Sequence, residues 1–460
     1  MAILAAALAV LAALPAAAAE RSVRPEEMLL RYVNAPDPAY HWERGPETRG
    51  PVTVCDIILT SQHWKQSDWQ HMLRVFRPQT VAHPGWMGLY ITGEGGAPEP
   101  GKPRGEDAMG RALAEQMQAP VAMLYQVPNQ PLFGNLDEGT VLDYSFQQYI
   151  KEGDPTWPVL FPMAKSGVRA LDALQEYTRR YWGQRTSNFV VMGGSKRGWA
   201  TWLVAAADRT GRVKAIAPIV FDMLDIPGQF QHALDLWGRY SEVIQAFTSR
   251  GMGLTTPRGR ALWASVDPYT WRRQLALPKL IVNATNDPTY VSGALNVYWD
   301  GLRGPKWVYY APNSGHGMET GLERTLSTLA GFFRAVASGH GMPAMSWQRK
   351  STGTAATITI KAPAAKAAVA WVAVADKPDF RRSQWESRPM EGKRGHFTLT
   401  IPRPADKDMM VFGQAEFEVE GRPCYLCTQP LIVRKSASVS PAPAPPAPPR
   451  AGPRSAGSTD

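Results

Sequence analysis

Cysteine is scarce in this chain: 460 residues carry three, Cys55, Cys424 and Cys427. Cys424 and Cys427 make one Cys-x-x-Cys without a second pair, so no metal and no other cofactor is expected. Long apolar runs are equally few. Only residues 1–19 are continuously apolar, and nothing after them is long enough to cross a bilayer, so no stable membrane span is expected once that segment is removed. Basic repeats, RNA-binding signatures and the Gly-Lys-Ser/Thr ending of a phosphate loop are lacking as well. The net charge of +10 therefore reads as scattered Lys and Arg on a solvated surface, and nucleic acid is not an expected partner.

What is present bounds the rest. With 44% hydrophobic residues the chain can bury a large core, and its length exceeds the roughly 250–300 residues at which single cores stop growing, so more than one domain is expected. Residues 1–19 are mostly Ala, Leu, Val and Ile and end in Pro15 and four alanines before Glu20, the pattern of a signal peptide with a small-residue cleavage site. A mature chain starting near Glu20 in the periplasm or outside the cell is the expectation; an uncleaved anchor is the alternative. In an exported protein Cys424 and Cys427 can form a local disulfide, leaving Cys55 a buried thiol. Residues 436–460, rich in Pro, Ala and Ser, cannot bury enough apolar area to fold and are expected to be disordered.

Between these ends, apolar runs alternate with helical spacing. Strands are predicted at 52–60 and 70–78 as an antiparallel opening, then at 87–91, 121–128, 188–193, 213–221, 280–287 and 306–312. Helices are predicted near 26–32, 109–117, 161–181, 198–207, 291–301 and 322–336. Strands separated by helices imply a mostly parallel sheet covered on both faces. The stretch 223–277 shows only helix-like segments rich in Trp, Phe and Met, and is expected as a lid over the sheet's carboxyl edge. From 346 to 435 short alternating strands replace the helices, which predicts a small β-sandwich behind an α/β domain spanning 20–342.

Three polar residues follow three predicted strand ends: Ser195, Asp287 and His316. Ser195 sits in Gly193-Gly194-Ser195-Lys196-Arg197-Gly198, a turn tight enough to push its hydroxyl out of the sheet. Ser195 is the expected nucleophile, His316 its base, and Asp287 the acid that orients the imidazole. Of eight histidines only His316 occupies a Gly-flanked loop directly after a strand. Asp222, after the preceding strand, is the rival acid, and a helix cap is the plain reading of Asp287. Backbone N–H groups of Lys196 and of Gly93 or Glu94, in the glycine-rich loop after the 87–91 strand, are the expected oxyanion donors; a simple turn is the alternative for that loop.

The loop Ile91-Thr92-Gly93-Glu94-Gly95-Gly96, the serine turn with its Lys196-Arg197-Gly198-Trp199 tail, the stretch near Asp222 to Gln229, Asn286-Asp287 and Gly315-His316 together resemble the PhoPQ-activated pathogenicity-related proteins. The resemblance runs from about residue 26 to 435. It implies an exported protein of α/β-hydrolase type, tied by name to virulence and envelope stress, and leaves the substrate open. The turn departs from Gly-x-Ser-x-Gly, since Arg197 stands where the second glycine is usual and Gly198 follows. In this it is similar to the elbow of glucuronoyl esterases, which implies that Lys196 or Arg197 can meet an acidic sugar ester; a salt bridge is the alternative. Arg197 and Trp199 are the substrate-binding candidates.

Three functions remain open on these grounds: a secreted serine hydrolase acting on an ester or amide, a serine peptidase of the same fold, and a binding protein that keeps an idle triad. A small molecule or a peptide is the expected partner, and the pattern leaves the oligomeric state undetermined.

Overall fold

The computed structural model describes residues 23–435. The leader expected at 1–19 and the disorder expected at 436–460 lie outside the described residues. Helix α1 (Pro25–Asn34) carries Glu26 and Glu27 in its first turn, where the helix dipole favours acid, and buries Met28, Leu29 and Val33. Three antiparallel strands follow: β1 (His41–Thr48), β2 (Val52–Trp64) and β3 (Ser67–Pro78). Apolar pattern does not announce β1, because His-Trp-Glu-Arg-Gly-Pro-Glu-Thr is an edge strand exposed along most of its length. The β2–β3 hairpin is longer than expected, since buried Trp64 and Trp69 carry the ladder almost to its turn.

Strands and helices then alternate through β4 (Trp86–Ile91), α2 (Asp107–Met117), β5 (Val121–Leu124), α3 (Glu138–Glu152), α4 (Leu160–Tyr181), β6 (Asn188–Gly194), α5 (Lys196–Ala207) and β7 (Val213–Ile219). The 223–277 stretch holds α6 (Ile226–Trp237), α7 (Glu242–Ser249) and α8 (Pro257–Val266). After it come β8 (Lys279–Ala284), α9 (Leu295–Tyr298), β9 (Lys306–Ala311) and α10 (Leu322–Ser338). The nine strands pair in the order β1-β2-β3-β5-β4-β6-β7-β8-β9, parallel from β5 onward. Phe189, Val190, Val191 and Met192 of β6 are all buried, as helices on both faces require. This mostly parallel sheet, with β4 and β5 exchanged in order and helices on both sides, is the α/β-hydrolase fold. Ligands of such sheets gather at the carboxyl ends of the central strands, where Ser195 stands.

Nine strands complete the described residues: β10 (Ser346–Ser351), β11 (Ala355–Lys361), β12 (Ala367–Ala375), β13 (Glu386–Pro389), β14 (Glu391–Lys393), β15 (His396–Pro402), β16 (Asp408–Val419), β17 (Arg422–Cys427) and β18 (Leu431–Val433). They form two antiparallel sheets, β10-β11-β15-β14 and β13-β12-β16-β17, with β18 beside β16. The sheets pack tightly enough that a Cβ on Gly413 would stand 2.6 Å from Ile360. This sandwich docks on the β9 edge of the large sheet, where Cys427 Sγ accepts a hydrogen bond from Tyr310 N at 3.4 Å. Cys424 instead packs against Gly331 of α10. Three positions along a strand of period two place the two cysteines on opposite faces. The disulfide expected between them is therefore not formed, and all three cysteines are free and buried. Burial pushes the Cys424 and Cys427 thiols up to about 12. No helix among the described residues is long and apolar enough to cross a membrane.

Candidate active site

Between the end of β6 and the start of α5 the chain turns on one residue. Ser195 adopts φ 59° and ψ −126°, a conformation that residues bearing a side chain seldom hold. Its N–H donates to Ile219 O at 2.9 Å, which ties the turn to β7. A Cβ on Gly193 would stand 2.7 Å from Arg197 O, and one on Gly198 would stand 2.8 Å from Ile219 O. The second glycine is needed where α5 crosses β7, at 198, which accounts for the shifted spacing of the motif.

Ser195 Oγ lies 2.7 Å from His316 Nε2, and His316 Nδ1 lies 2.7 Å from Asp287 Oδ2. The other carboxylate oxygen of Asp287 accepts from Thr289 N at 2.9 Å, so the acid is held from both ends. Sequence reasoning missed what brackets His316: Glu319 accepts from Gly315 N at 2.9 Å and from Gly317 N at 3.1 Å. Asp222 does not reach the histidine. It accepts from the Tyr298 hydroxyl at 2.5 Å and is buried; burial pushes it up to about 7, with the nearby Asp287 adding to the rise. Asp222, Asn283 and Tyr310 line a small cavity of about 40 Å³ together with Asp287.

The loop after β4 meets the serine turn through Arg197. A Cβ on Gly93 would stand 1.0 Å from Arg197 Nη2, so only glycine fits beneath the guanidinium. Glu94 N–H donates to Thr92 Oγ1 at 3.2 Å and is already engaged, while the Glu94 carboxylate accepts from Gly105 N at 2.9 Å and Glu106 N at 3.0 Å. Of the expected oxyanion donors this leaves the N–H of Gly93 and that of Lys196, one of the unpaired donors that open any helix. Arg197 forms a two-pronged pair with Glu138, one arm at 2.7 Å, and Lys196 Nζ reaches the same carboxylate at 3.1 Å. Burial raises the Glu138 pKa, but Arg197 and Lys196 outweigh it and hold the carboxyl below its ordinary value. Trp199 is 4% exposed, stacks on Phe221 with centroids 4.9 Å apart, and donates from Nε1 to Val266 O at 2.6 Å. Neither substrate-binding candidate is free to meet a substrate, because Glu138 engages Arg197 and the core encloses Trp199.

A cavity of about 530 Å³ opens at Ser195 and His316, walled chiefly by α2 and α10. No residue of the 223–277 insertion lines it. The helices expected as a lid pack sideways instead, α8 on α1 and α3, and α6 on α9. The sandwich does reach the acid and histidine loops. Asn286 Nδ2 donates to Ser383 O at 2.7 Å, Arg381 Nη1 donates to Pro288 O at 2.7 Å, and Asn313 pairs with the backbone of Trp385 through Nδ2 at 2.9 Å and Oδ1 at 2.8 Å.

Autocrine proliferation repressor protein A of Dictyostelium discoideum is 28% identical to this chain over 333 residues, which cover 69% of the chain and 66% of that protein. The match thus spans just under two thirds of the relative's length. Among solved structures, an acetyl xylan esterase from Paenibacillus sp. R4 is similar with a TM-score of 0.45 and 14% identity, covering 68% of this chain and 92% of that one. A glucuronoyl esterase from Solibacter usitatus has a TM-score of 0.41 and 13% identity, covering 69% and 92%. The profile of one family matches residues 29–381, stopping inside the sandwich rather than running to 435, and on that match the chain belongs to the PhoPQ-activated pathogenicity-related proteins.

Proposed function

We propose that this chain is an exported serine hydrolase that cleaves an ester or amide through an acyl-enzyme. The observation that carries the reading is the unbroken relay from Ser195 through His316 to Asp287, both links 2.7 Å, on a strained turn at the carboxyl end of a central strand. In the proposed reaction Ser195 Oγ attacks the acyl carbon while its proton passes to His316 Nε2; the carbonyl electrons move onto the oxygen, which the N–H groups of Lys196 and Gly93 receive. Collapse of the tetrahedral adduct expels the alcohol or amine with the proton from His316. Water then repeats the sequence on the acyl-serine and releases the acid. Asp287 keeps the Nδ1 proton in place and stabilises the imidazolium. Export rests on the apolar 1–19 segment and its small-residue end.

A fluorophosphonate probe on the purified mature protein tests the reading. Labelling of the wild type, lost in both Ser195→Ala and His316→Ala, is the expected result; a folded wild type that resists the probe refutes an activated serine. The name of the Dictyostelium relative favours a second reading, a signalling or binding protein. Under that reading Ser195→Ala leaves the biological effect intact.

A further inference from the structure

The cavity at Ser195 is mostly apolar and has one acidic corner. Its volume of about 530 Å³ is that of a small-molecule site, and Met109, Ala112, Leu322, Leu326 and Leu329 give it an apolar flank. Tyr90 is the one aromatic residue lining it besides His316, so stacking platforms for a sugar chain are lacking in this wall. The corner is Glu106, at the start of α2, with the Tyr90 hydroxyl close by the serine turn, 3.7 Å from where a Cβ on Gly194 would stand.

Glu106 takes part in no ion pair among the described residues, and its Oε2 is buried without a hydrogen-bond partner. Burial pushes its pKa up; the Thr92 hydroxyl opposes the rise, the Glu94 carboxylate adds to it, and Arg197 opposes it. The two cations nearest the turn, Lys196 and Arg197, are both engaged by Glu138. A substrate carboxylate entering here would meet an unpaired carboxyl with no free cation to receive it. A hydrogen-bond donor would instead meet a carboxyl at the cavity wall that no cation pairs with among the described residues.

We propose that the substrate places in this cavity an apolar group ending in a hydrogen-bond donor, an ammonium or a hydroxyl held by Glu106, and that carboxylate-bearing groups, uronates included, are refused. This substrate class rests on the serine-hydrolase reading above.

The test uses the mature protein and two matched ester series. One varies the acyl half: p-nitrophenyl hexanoate, 6-hydroxyhexanoate, 6-aminohexanoate and the adipate monoester. The other varies the alcohol half, as acetates of hexanol and of its 6-hydroxy, 6-amino and terminal-carboxylate analogues. In at least one series the donor-bearing ester should exceed the plain one in kcat/KM by roughly tenfold or more, the effect of one hydrogen bond to a charged group, and the carboxylate should be the poorest. Glu106→Leu should bring the ratio of donor to plain ester close to one. Glu106→Gln, which keeps a carbonyl acceptor and the side chain's shape, should retain the preference for hydroxyl and lose that for ammonium, which tells the two donors apart. Fluorophosphonate labelling of each variant reports that serine and fold are intact. Labelled wild-type protein that shows no donor preference in either series, or turns over none of these esters, overturns this proposal and leaves the hydrolase reading standing. Wild-type protein that is folded but unlabelled overturns both.

Discussion

Replacing Gly93 by alanine tests whether Arg197 couples the loop after β4 to the serine turn. The new Cβ would stand 1.0 Å from Arg197 Nη2 and 1.9 Å from Cζ, far inside contact. A guanidinium in open space would swing aside at small cost. This one is held at two points by Glu138 and only 11% of its side chain is exposed, so the clash must break the ion pair or displace the loop. Hydrogen bonds to a charged group contribute about 1.5–3 kcal/mol, whereas deleting one partner of a buried pair costs about 3–5 kcal/mol. A displaced arginine reaches water in part, so the lower range applies, and we expect a loss of about 2–3 kcal/mol. At about 2 cal/mol/K of unfolding entropy per residue, that lowers the Tm of a chain this long by roughly 3 °C. Thermal denaturation of Gly93→Ala, Glu138→Gln and the double variant is the assay. Both single changes disrupt the same pair, so the double variant should fall short of their sum by about 1–2 kcal/mol. Additive losses, or a Gly93→Ala protein with unchanged Tm, would refute the reasoning.

Asp222→Asn should gain stability over the wild type as pH rises. The folded pKa of about 7 lies above the ordinary 3.8, so the folded state holds a proton that the unfolded chain has released; the contribution of Asp222 to wild-type stability is greatest below pH 4 and declines as pH rises to 7. The displacement corresponds to roughly 4 kcal/mol, and a Tm difference that stays flat from about pH 4 to pH 8 contradicts it. Asn313→Ala removes both bonds to the Trp385 backbone and should cost about 1–3 kcal/mol while slowing fluorophosphonate labelling, because the loop carrying His316 loses its tie to the sandwich. An unchanged labelling rate in a destabilised variant would show that the sandwich supports the fold without reaching the serine. Thiol titration in denaturant without reductant should count three thiols, all of them free in the structure; a count of one would restore the Cys424–Cys427 disulfide.

Legibility varied with how local the cause was. The buried parallel strands are read from composition, since Phe189 to Met192 of β6 and Leu280 to Val282 of β8 are unbroken apolar runs. β1 escaped because a solvated edge strand has no apolar face to display. The insertion at 223–277 was visible as helices, but its placement beside α1, α3 and α9 depends on shapes that sequence spacing does not carry. The cysteines stand three positions apart on β17, so the pleat turns them to opposite faces and opposes a bridge. Trp199 looked available because it follows the serine motif, yet its position on α5 turns it toward Phe221 and Val266.

By itself the sequence determined where the chain turns: a glycine-flanked serine, an acid and a glycine-flanked histidine each follow an apolar run, because strand ends and tight turns are set by neighbouring residues. Tertiary structure alone decided which groups meet. Asp287 rather than Asp222 faces His316, Glu138 engages Arg197 from 59 residues away, and Glu106 is left unpaired at the cavity wall. Those outcomes depend on strand order and helix packing, which bring distant residues within hydrogen-bond reach and exclude the water that would otherwise serve them all alike.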